Sequence, residues 1–138
     1  MASQISFDKR RYGAGGSTND IARELADQGC AAGLVIVAEE QLSGRGRTGA
    51  VWSSPLGNLY QSLVLRPQVS PSIASQLSFV TALALREAIV KILPNQECLC
   101  KWPNDVLCDK AKVAGILLES KITPTASPPF NSRSMVTA

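Results

Sequence analysis

STNDIARELADQGCAAGLVIVAEEQ, residues 17–41, constrains the fold most strongly, because it joins a helix signal to a strand signal. Ser17 stands where a helix N-cap is expected, and Asp20 three residues later gives the spacing of a capping box. The apolar residues that follow at helical spacing are Ile21, Ala22, Leu25 and Ala26. Gly29 is placed to end this helix, and LVIVA, residues 34–38, is a short β-branched run that predicts a buried strand.

Strands and helices continue to alternate downstream of this stretch. Ser70-Pro71 opens a second predicted helix, which Pro94 stops. The predicted apolar face of this helix consists of Ile73, Leu77, Val80, Leu83 or Ala84, and Ala88. The further predicted strands are residues 58–65 and 97–102, with a hairpin of residues 106–108 and 112–119 around Asp109-Lys110. Because the late hairpin is incompatible with a purely parallel sheet, the sequence predicts an α+β fold, a mixed β-sheet packed with helices.

Length and composition are those of a single folded domain. The chain has 138 residues, of which 45% are hydrophobic and 18% are charged. Its apolar runs at residues 34–38 and 115–118 are far shorter than the ~20 residues needed to cross a bilayer. The N-terminal residues lack the apolar segment of a secretory signal. We therefore expect a cytoplasmic protein without a membrane partner.

The charge pattern is more informative than the net charge. The formal net charge of +3 is too small to predict nucleic-acid binding. However, no acidic residue lies between Glu40 and Glu87, whereas Arg45, Arg47 and Arg66 do, so this interval favours an anion. The chain contains no histidine, the commonest general base near neutral pH, so its chemistry must run without imidazole.

The cysteines do not form a metal-binding pattern. Cys30, Cys98, Cys100 and Cys108 lack the paired CxxC spacing of a zinc site, and no histidine accompanies them. We expect no metal site among them. A cytosolic location favours reduced and mostly buried thiols.

The character of the chain changes from residue 121 onward. Residues 121–138 contain three prolines and six Ser or Thr, and no apolar period. This composition predicts a disordered tail after a core of residues 1–120. Because the apolar strand that ends at Glu119 has no predicted successor, we also expect a domain truncated on its C-terminal side.

A glycine-rich segment, residues 44–49 (GRGRTG), matches the pattern G-x-G-x-x-G. The dinucleotide-binding interpretation fails, because residues 50–55 open a helix poorly and no acid follows about 20 positions later. The P-loop interpretation fails because Ala50-Val51 stands where Lys and Ser or Thr are required. The segment either brackets an anion with Arg45 and Arg47 or is a solvated basic loop.

Two later motifs are also candidates for a site. KWPNDV, residues 101–106, places an indole and two short polar side chains at a turn, although Trp102 could equally belong to the core and Asp105 could bind local backbone. In KVAGILLE, residues 112–119, Lys112 either projects into a pocket beside small residues or is a surface lysine that flanks an apolar strand.

Taken in order, these motifs resemble those of the biotin protein ligases, the biotin–[carboxyl-carrier protein] ligase family. The resemblance rests on STND, EQxxGRGRxGxxW, KWPNDV and KVAGILLE, and it runs from Ser17 to Glu119. It implies the catalytic-domain fold of that family. It also implies an ATP-dependent enzyme that makes biotinyl-5′-AMP from biotin and MgATP and transfers biotin to a lysine of the carrier domain in a biotin-dependent carboxylase.

The resemblance also implies roles for individual residues. Arg47 and Lys112 become the catalytic residues, which with Mg²⁺ neutralise the reacting anions. The residues implied to bind biotin or its adenylate are Ser17, Thr18, Asn19, Gln41, Gly44, Arg45, Gly46, Arg47, Trp52, Asn104, Lys112 and Gly115. Biotin and ATP are the expected substrates, and a homodimer is left open.

The sequence departs from the family pattern in ways that keep alternatives open. Ala50 replaces an arginine that many members have. No DNA-binding region precedes Ser17, so a repressor role is not expected. Because the later strands and the small C-terminal barrel of the family are not expected here, two alternatives remain. One is a lipoate ligase or octanoyltransferase, and the other is a truncated remnant that at most binds biotin.

Overall fold

The structure, a computed structural model, describes residues 5–123 and 131–137, with side chains described for residues 5–121. The helices are α1 (Thr18–Asp27), α2 (Pro71–Ala74) and α3 (Leu77–Ile92). The strands are β1 (Asp8–Gly15), β2 (Leu34–Gln41), β3 (Tyr60–Leu65), β4 (Cys98–Lys101), β5 (Asp105–Cys108), β6 (Ala111–Gly115), β7 (Leu117–Thr123) and β8 (Asn131–Thr137).

These strands form two sheets. A five-stranded sheet has the order β1-β2-β3-β8-β7, and a three-stranded sheet has the order β4-β5-β6. β1 runs parallel to β2, whereas β2, β3, β8 and β7 pair antiparallel. The predicted mixed α+β architecture is therefore confirmed. β1 was not predicted, because its sequence DKRRYGAG has no apolar alternation and its strand state comes from pairing with β2.

The start of the chain's first helix follows the sequence closely. Ser17 is the N-cap, and its Oγ accepts a hydrogen bond from the Asn19 backbone N–H at 3.2 Å. Gly29 adopts φ +91° just beyond the helix, which favours glycine. The inner face of α1 packs on β2 and β3, in a core cluster of Ala22, Ala26, Leu34, Ile36 and Val64.

The second predicted helix differs from expectation in both its continuity and its buried face. It is divided into α2 and α3, and the face that packs on the sheets contains Leu77, Ala82, Leu85 and Ile89. Leu77 of the predicted face is confirmed, whereas Ile73, Val80 and Leu83 are 54–58% exposed. Ala84 and Ala88 are exposed as well, so the rest of the predicted face was wrong. The sequence LSFVTALALREAIVKI is apolar around most of the helix, so its periodicity could not select one face.

The same segment also corrects the expectation about apolar length. Pro71–Ile92 is long and apolar enough, by length and composition, to cross a membrane. In this structure one side of α3 packs against Val106 and Ile116, and 11% of the most apolar window of the segment is buried. Because length and composition alone are weak evidence for a membrane span, we assign this segment no membrane role.

The thiol prediction was wrong for one pair. Cys98 and Cys108 are register partners on β4 and β5, and they form a disulfide. Cys30 and Cys100 are free, and Cys100 is exposed rather than buried. The spacing could not reveal the pair, because only the antiparallel register places these residues opposite each other.

The predicted disordered tail is also corrected in part. Residues 121–123 continue β7, and residues 131–137 form β8, which pairs with both β3 and β7. Hydrogen bonding on both edges of β8 outweighs the weak strand propensity of its serines. The prediction for residues 124–130 and Ala138 lies outside the described residues.

Candidate active site

A cavity of about 510 Å³ opens between α3, the start of β3 and the β5–β7 region. Its size is in the range of small-molecule sites. Among the predicted binding residues, those that line it are Ser17, Gln41, Arg45, Gly46, Arg47, Trp52, Asn104, Lys112 and Gly115. Thr18, Asn19 and Gly44 do not line it.

Gln41, which lines the cavity, belongs to a network of neutral side chains that we call the polar floor: Thr18, Asn19, Gln41, Ser54 and Ser62. Thr18 donates to Gln41 Oε1 from its backbone N–H at 2.8 Å and from its hydroxyl at 3.0 Å. Gln41 Nε2 donates to Ser54 Oγ at 3.0 Å. The Ser62 hydroxyl lies 2.8 Å from Thr18 Oγ1 and 2.7 Å from Asn19 Oδ1. The floor therefore fixes where α1, β2 and β3 meet.

Gly44 serves this floor by its small size. A Cβ at residue 44 would lie 2.5 Å from Ser54 Oγ and 2.6 Å from the Trp52 carbonyl oxygen. The segment from Gly44 to Ser54, which we call the rim loop, doubles back through a bridge between Arg45 and Val51. Trp52 N–H donates to the Gly44 carbonyl at 3.0 Å, which closes the base of the rim loop. A side chain at residue 44 would force this base open.

Arg45 is bound to carboxylates. Its guanidinium donates to both oxygens of Asp20 at 3.0 and 2.8 Å and to both oxygens of Glu119 at 3.1 and 2.9 Å. The hydrogen bonds to Asp20 and Glu119 raise the pKa of Arg45 further above its ordinary value. Burial acts to raise the pKa of Glu119, but the hydrogen bond and charge of Arg45, with Arg23 and Asn19, hold it below its usual range.

Arg47, two residues further along the rim loop, has a different environment. It lines the cavity and is exposed, at the start of a 3-10 turn that spans Arg47–Gly49. Among the described residues, no hydrogen bond or ion pair of its side chain is found. Arg47 is therefore a cation available to a ligand, whereas Arg45 is engaged by the protein.

Lys112 approaches the same cavity from β6. Its Nζ lies 4.7 Å from the centre of the Trp52 ring, a cation–π contact. It also lies 2.8 Å from the buried Oδ1 of Asp105, an ion pair without the geometry of a directed hydrogen bond. A Cβ at Gly115 would lie 3.0 Å from the Trp52 ring and 3.3 Å from Lys112 Cε, so Gly115 leaves room for both. We call Arg47, Trp52 and Lys112 the cationic rim.

The Trp-Pro-Asn-Asp turn contributes through Asn104 and Asp105. Asn104 Nδ2 donates to the Ile116 carbonyl at 2.8 Å, and Ile116 N–H donates back to the Asn104 carbonyl at 2.8 Å. These bonds hold the junction at which the chain leaves β6 for β7. Trp102 is 79% exposed, which excludes the alternative that it belongs to the core. The Asp105 carboxylate pairs with Lys112, a partner that the sequence did not indicate.

Much of the apolar wall of the cavity was not predicted from the sequence. This wall includes Leu59, Leu85, Ile89, Val113 and Ile116. Leu85 and Ile89 are one helical turn apart on α3 and were absent from its predicted face. The sequence signal that could have indicated Leu85 and Ile89 is that this helix is apolar on several sides.

The cavity has an apolar wall, a neutral floor and a cationic rim, which suits a ligand with an apolar body and an anionic group. Residues 16–127 match the biotin/lipoate A/B protein ligase family. The chain belongs to this family.

Individual relatives agree with this assignment. The biotin–[acetyl-CoA-carboxylase] ligase of Paracoccus denitrificans is 50% identical over 105 residues, 75% of this chain and 43% of that protein. The biotin protein ligase of Leishmania major, solved in complex with biotin, has a TM-score of 0.72 and 27% identity, covering 94% of this chain and 55% of that one.

The biotin protein ligase of Aquifex aeolicus, in complex with biotin and ATP, has a TM-score of 0.71 and 30% identity, covering 94% of this chain and 51% of that one. This chain thus spans less than half of the Paracoccus ligase and slightly more than half of the two solved ligases.

Proposed function

We propose that this chain is a biotin–protein ligase domain that activates biotin to biotinyl-5′-AMP and transfers it to a lysine of a biotin carboxyl carrier domain. One observation carries the proposal. Arg47 and Lys112, from segments 65 positions apart (residue 47 to residue 112), line one cavity together with Trp52 and an apolar wall. Such a cavity suits the apolar body of biotin and the charge of an adenylate.

The first step brings two anions together. The carboxylate of biotin is ionised near neutral pH, so it can attack the α-phosphorus of ATP without a general base. The new bond joins a carboxylate oxygen to that phosphorus, and pyrophosphate leaves. Arg47 and Lys112 would reduce the repulsion between the reactants and stabilise the charge that develops on the phosphate. The chain's lack of histidine is compatible with this chemistry.

The second step uses the same cations. The neutral amine of a carrier lysine attacks the acyl carbon of biotinyl-5′-AMP, the bond from that carbon to the phosphate oxygen breaks, and AMP leaves. The nitrogen of the new amide gives up one proton to the solvent. Lys112, with the ring of Trp52 beside it, would stabilise the departing phosphate. The rim loop would cover the adenylate and limit its hydrolysis.

Support also comes from what the relatives bind. The Aquifex ligase was solved with biotin and ATP, and the Leishmania ligase with biotin. We propose that Mg²⁺ arrives as the substrate MgATP, because the residues that line the described cavity include no Asp or Glu. We further propose a cytoplasmic location and a carrier domain of a biotin-dependent carboxylase as the partner.

The decisive experiment incubates the purified chain with biotin, ATP labelled at the α-phosphate, and Mg²⁺, with and without a carrier domain. Biotin-dependent formation of labelled adenylate, followed by carrier biotinylation, is the expected result. Lipoate-dependent adenylation would favour the lipoate ligase alternative. Biotin binding without turnover, measured by calorimetry on the folded protein, would favour the remnant and overturn the proposal.

A further inference from the structure

Arg45 uses almost its whole donor set within the protein. A guanidinium has five N–H donors, and four hydrogen bonds join those of Arg45 to Asp20 and Glu119. Both carboxylates are held through two oxygens, the strongest arrangement for this pair of groups. An anionic ligand could engage Arg45 fully only by displacing one of these carboxylates.

The three residues come from distant parts of the chain. Asp20 lies in the first turn of α1, Arg45 in the rim loop and Glu119 on β7. Glu119 also accepts from Asn19 Nδ2 at 2.9 Å and from Arg23 at 3.0 Å. The cluster therefore ties one end of the rim loop to two elements of the scaffold, and through Asn19 to the polar floor.

Neither carboxylate belongs to the binding surface. Asp20 and Glu119 do not line the described cavity, whereas Arg45 and Arg47 do. Gly46 N–H donates to the Ala50 carbonyl at 2.7 Å, so the turn that carries Arg47 begins directly after the tied residue. Holding Arg45 in place therefore fixes the position of the part of the rim loop that carries Arg47 and Trp52.

We propose that Arg45 is a positioning residue, which anchors the rim loop to Asp20 and Glu119 so that Arg47 meets the anionic group of the ligand. The ligand part of this inference rests on the proposed function. The anchoring part does not, and it can be measured without any activity.

The test is Glu119→Gln, which removes a carboxylate but keeps Arg45 and a side chain of the same shape. Removing a negative charge near the cavity should by itself tighten binding of an anion. If Arg45 anchors the loop, binding should instead weaken, because the loop is released. We expect about fivefold faster dissociation of biotinyl-5′-AMP and similarly faster trypsin cleavage after Arg47 in the free protein.

A matched control is Asp27→Asn, which breaks the ion pair between α1 and Lys121 of β7 away from the rim loop. It should change neither dissociation nor cleavage. Arg45→Lys, which keeps the charge and loses the fork, should behave like Glu119→Gln. If Glu119→Gln is poorly folded by circular dichroism, Asp20→Asn at the more exposed end of the cluster replaces it.

The outcomes separate this inference from the proposed function. Slower dissociation in Glu119→Gln would show that Arg45 is a ligand contact and would overturn the inference. Unchanged cleavage and unchanged dissociation would overturn it as well. Faster cleavage in a protein that makes no adenylate would support the anchor while the proposed function fails.

Discussion

The polar floor and the cationic rim differ in burial, in charge and in how far their side chains are hydrogen-bonded within the protein. In the floor, Thr18, Gln41 and Ser62 are buried and hydrogen-bonded to one another, without a charge. In the rim, Arg47 and Lys112 are charged and partly or largely exposed. A buried polar group that loses its hydrogen-bond partner costs free energy of folding, whereas an exposed cation can be replaced with little effect on stability. Changes in the floor should therefore affect stability, and changes in the rim should affect ligand chemistry.

The strongest way to break this contrast is Gln41→Leu. The substitution removes the oxygen that accepts from the Thr18 N–H and the Thr18 hydroxyl, and the amide that donates to Ser54 Oγ. We expect a loss of about 3 kcal/mol in the free energy of unfolding, since each stranded buried group costs roughly 1–3 kcal/mol. Urea denaturation followed by circular dichroism measures it. Gln61→Leu, at the same cavity on β3, is the control and should cost far less. Equal losses of unfolding free energy in Gln41→Leu and Gln61→Leu would show that the polar floor has no special role in stability.

The next largest effect should come from the rim. Lys112→Ala removes the cation that lies beside Trp52 and Asp105. We expect adenylation to slow by more than about tenfold, equivalent to ~1.4 kcal/mol or more in the barrier. Single-turnover formation of labelled adenylate measures it. Lys110→Ala, in the nearby turn, removes the same charge away from the cavity and should leave the rate unchanged. An unaltered rate in Lys112→Ala would exclude a catalytic role.

Local signals in the sequence were enough for the parts of the fold that depend on neighbouring residues. The N-cap at Ser17 and the strand at LVIVA are such features, and both were predicted. β1 was missed because a charged edge strand carries no apolar period. The buried face of α3 was assigned wrongly because Val80 and Leu83 are as apolar as Leu85 and Ile89.

For the site, nine of the twelve predicted binding residues line the cavity, but the motifs did not reveal the partner of each residue. From the sequence, Arg45 and Arg47 were one candidate anion-binding pair, since a single glycine separates them. Only the fold brings Asp20 and Glu119, 25 and 74 residues away in sequence, to Arg45. The same limit hid the Cys98–Cys108 disulfide and the ion pair of Asp105 with Lys112. Which partner a charge takes is a tertiary property, and spacing along the chain does not encode it.

A smaller effect is expected at the exposed rim arginine. Arg47→Gly should release biotinyl-5′-AMP about fivefold faster, because one charge-assisted contact in a solvated position contributes only about 1 kcal/mol. The unfolding free energy should stay nearly constant, since Arg47 is exposed. Stopped-flow or filter-binding release assays measure the rate. Arg47→Lys should recover part of the retention, and a Gly variant that releases no faster than the parent would contradict the assignment.

The smallest effect is the pH dependence of the cluster around Arg45. Because the pKa of Glu119 is lowered in the folded protein, its carboxylate stabilises the fold above its ordinary pKa of 4.5. That contribution is lost as the pH falls through the lower folded value. The parent's advantage over Glu119→Gln in unfolding free energy, about 1 kcal/mol or less for so solvated a cluster, should be constant from neutral pH to about pH 5. Below that it should shrink. Urea denaturation of both proteins across this pH range measures this difference in unfolding free energy. A difference that grows as the pH falls would mean that Arg45 does not stabilise the Glu119 carboxylate.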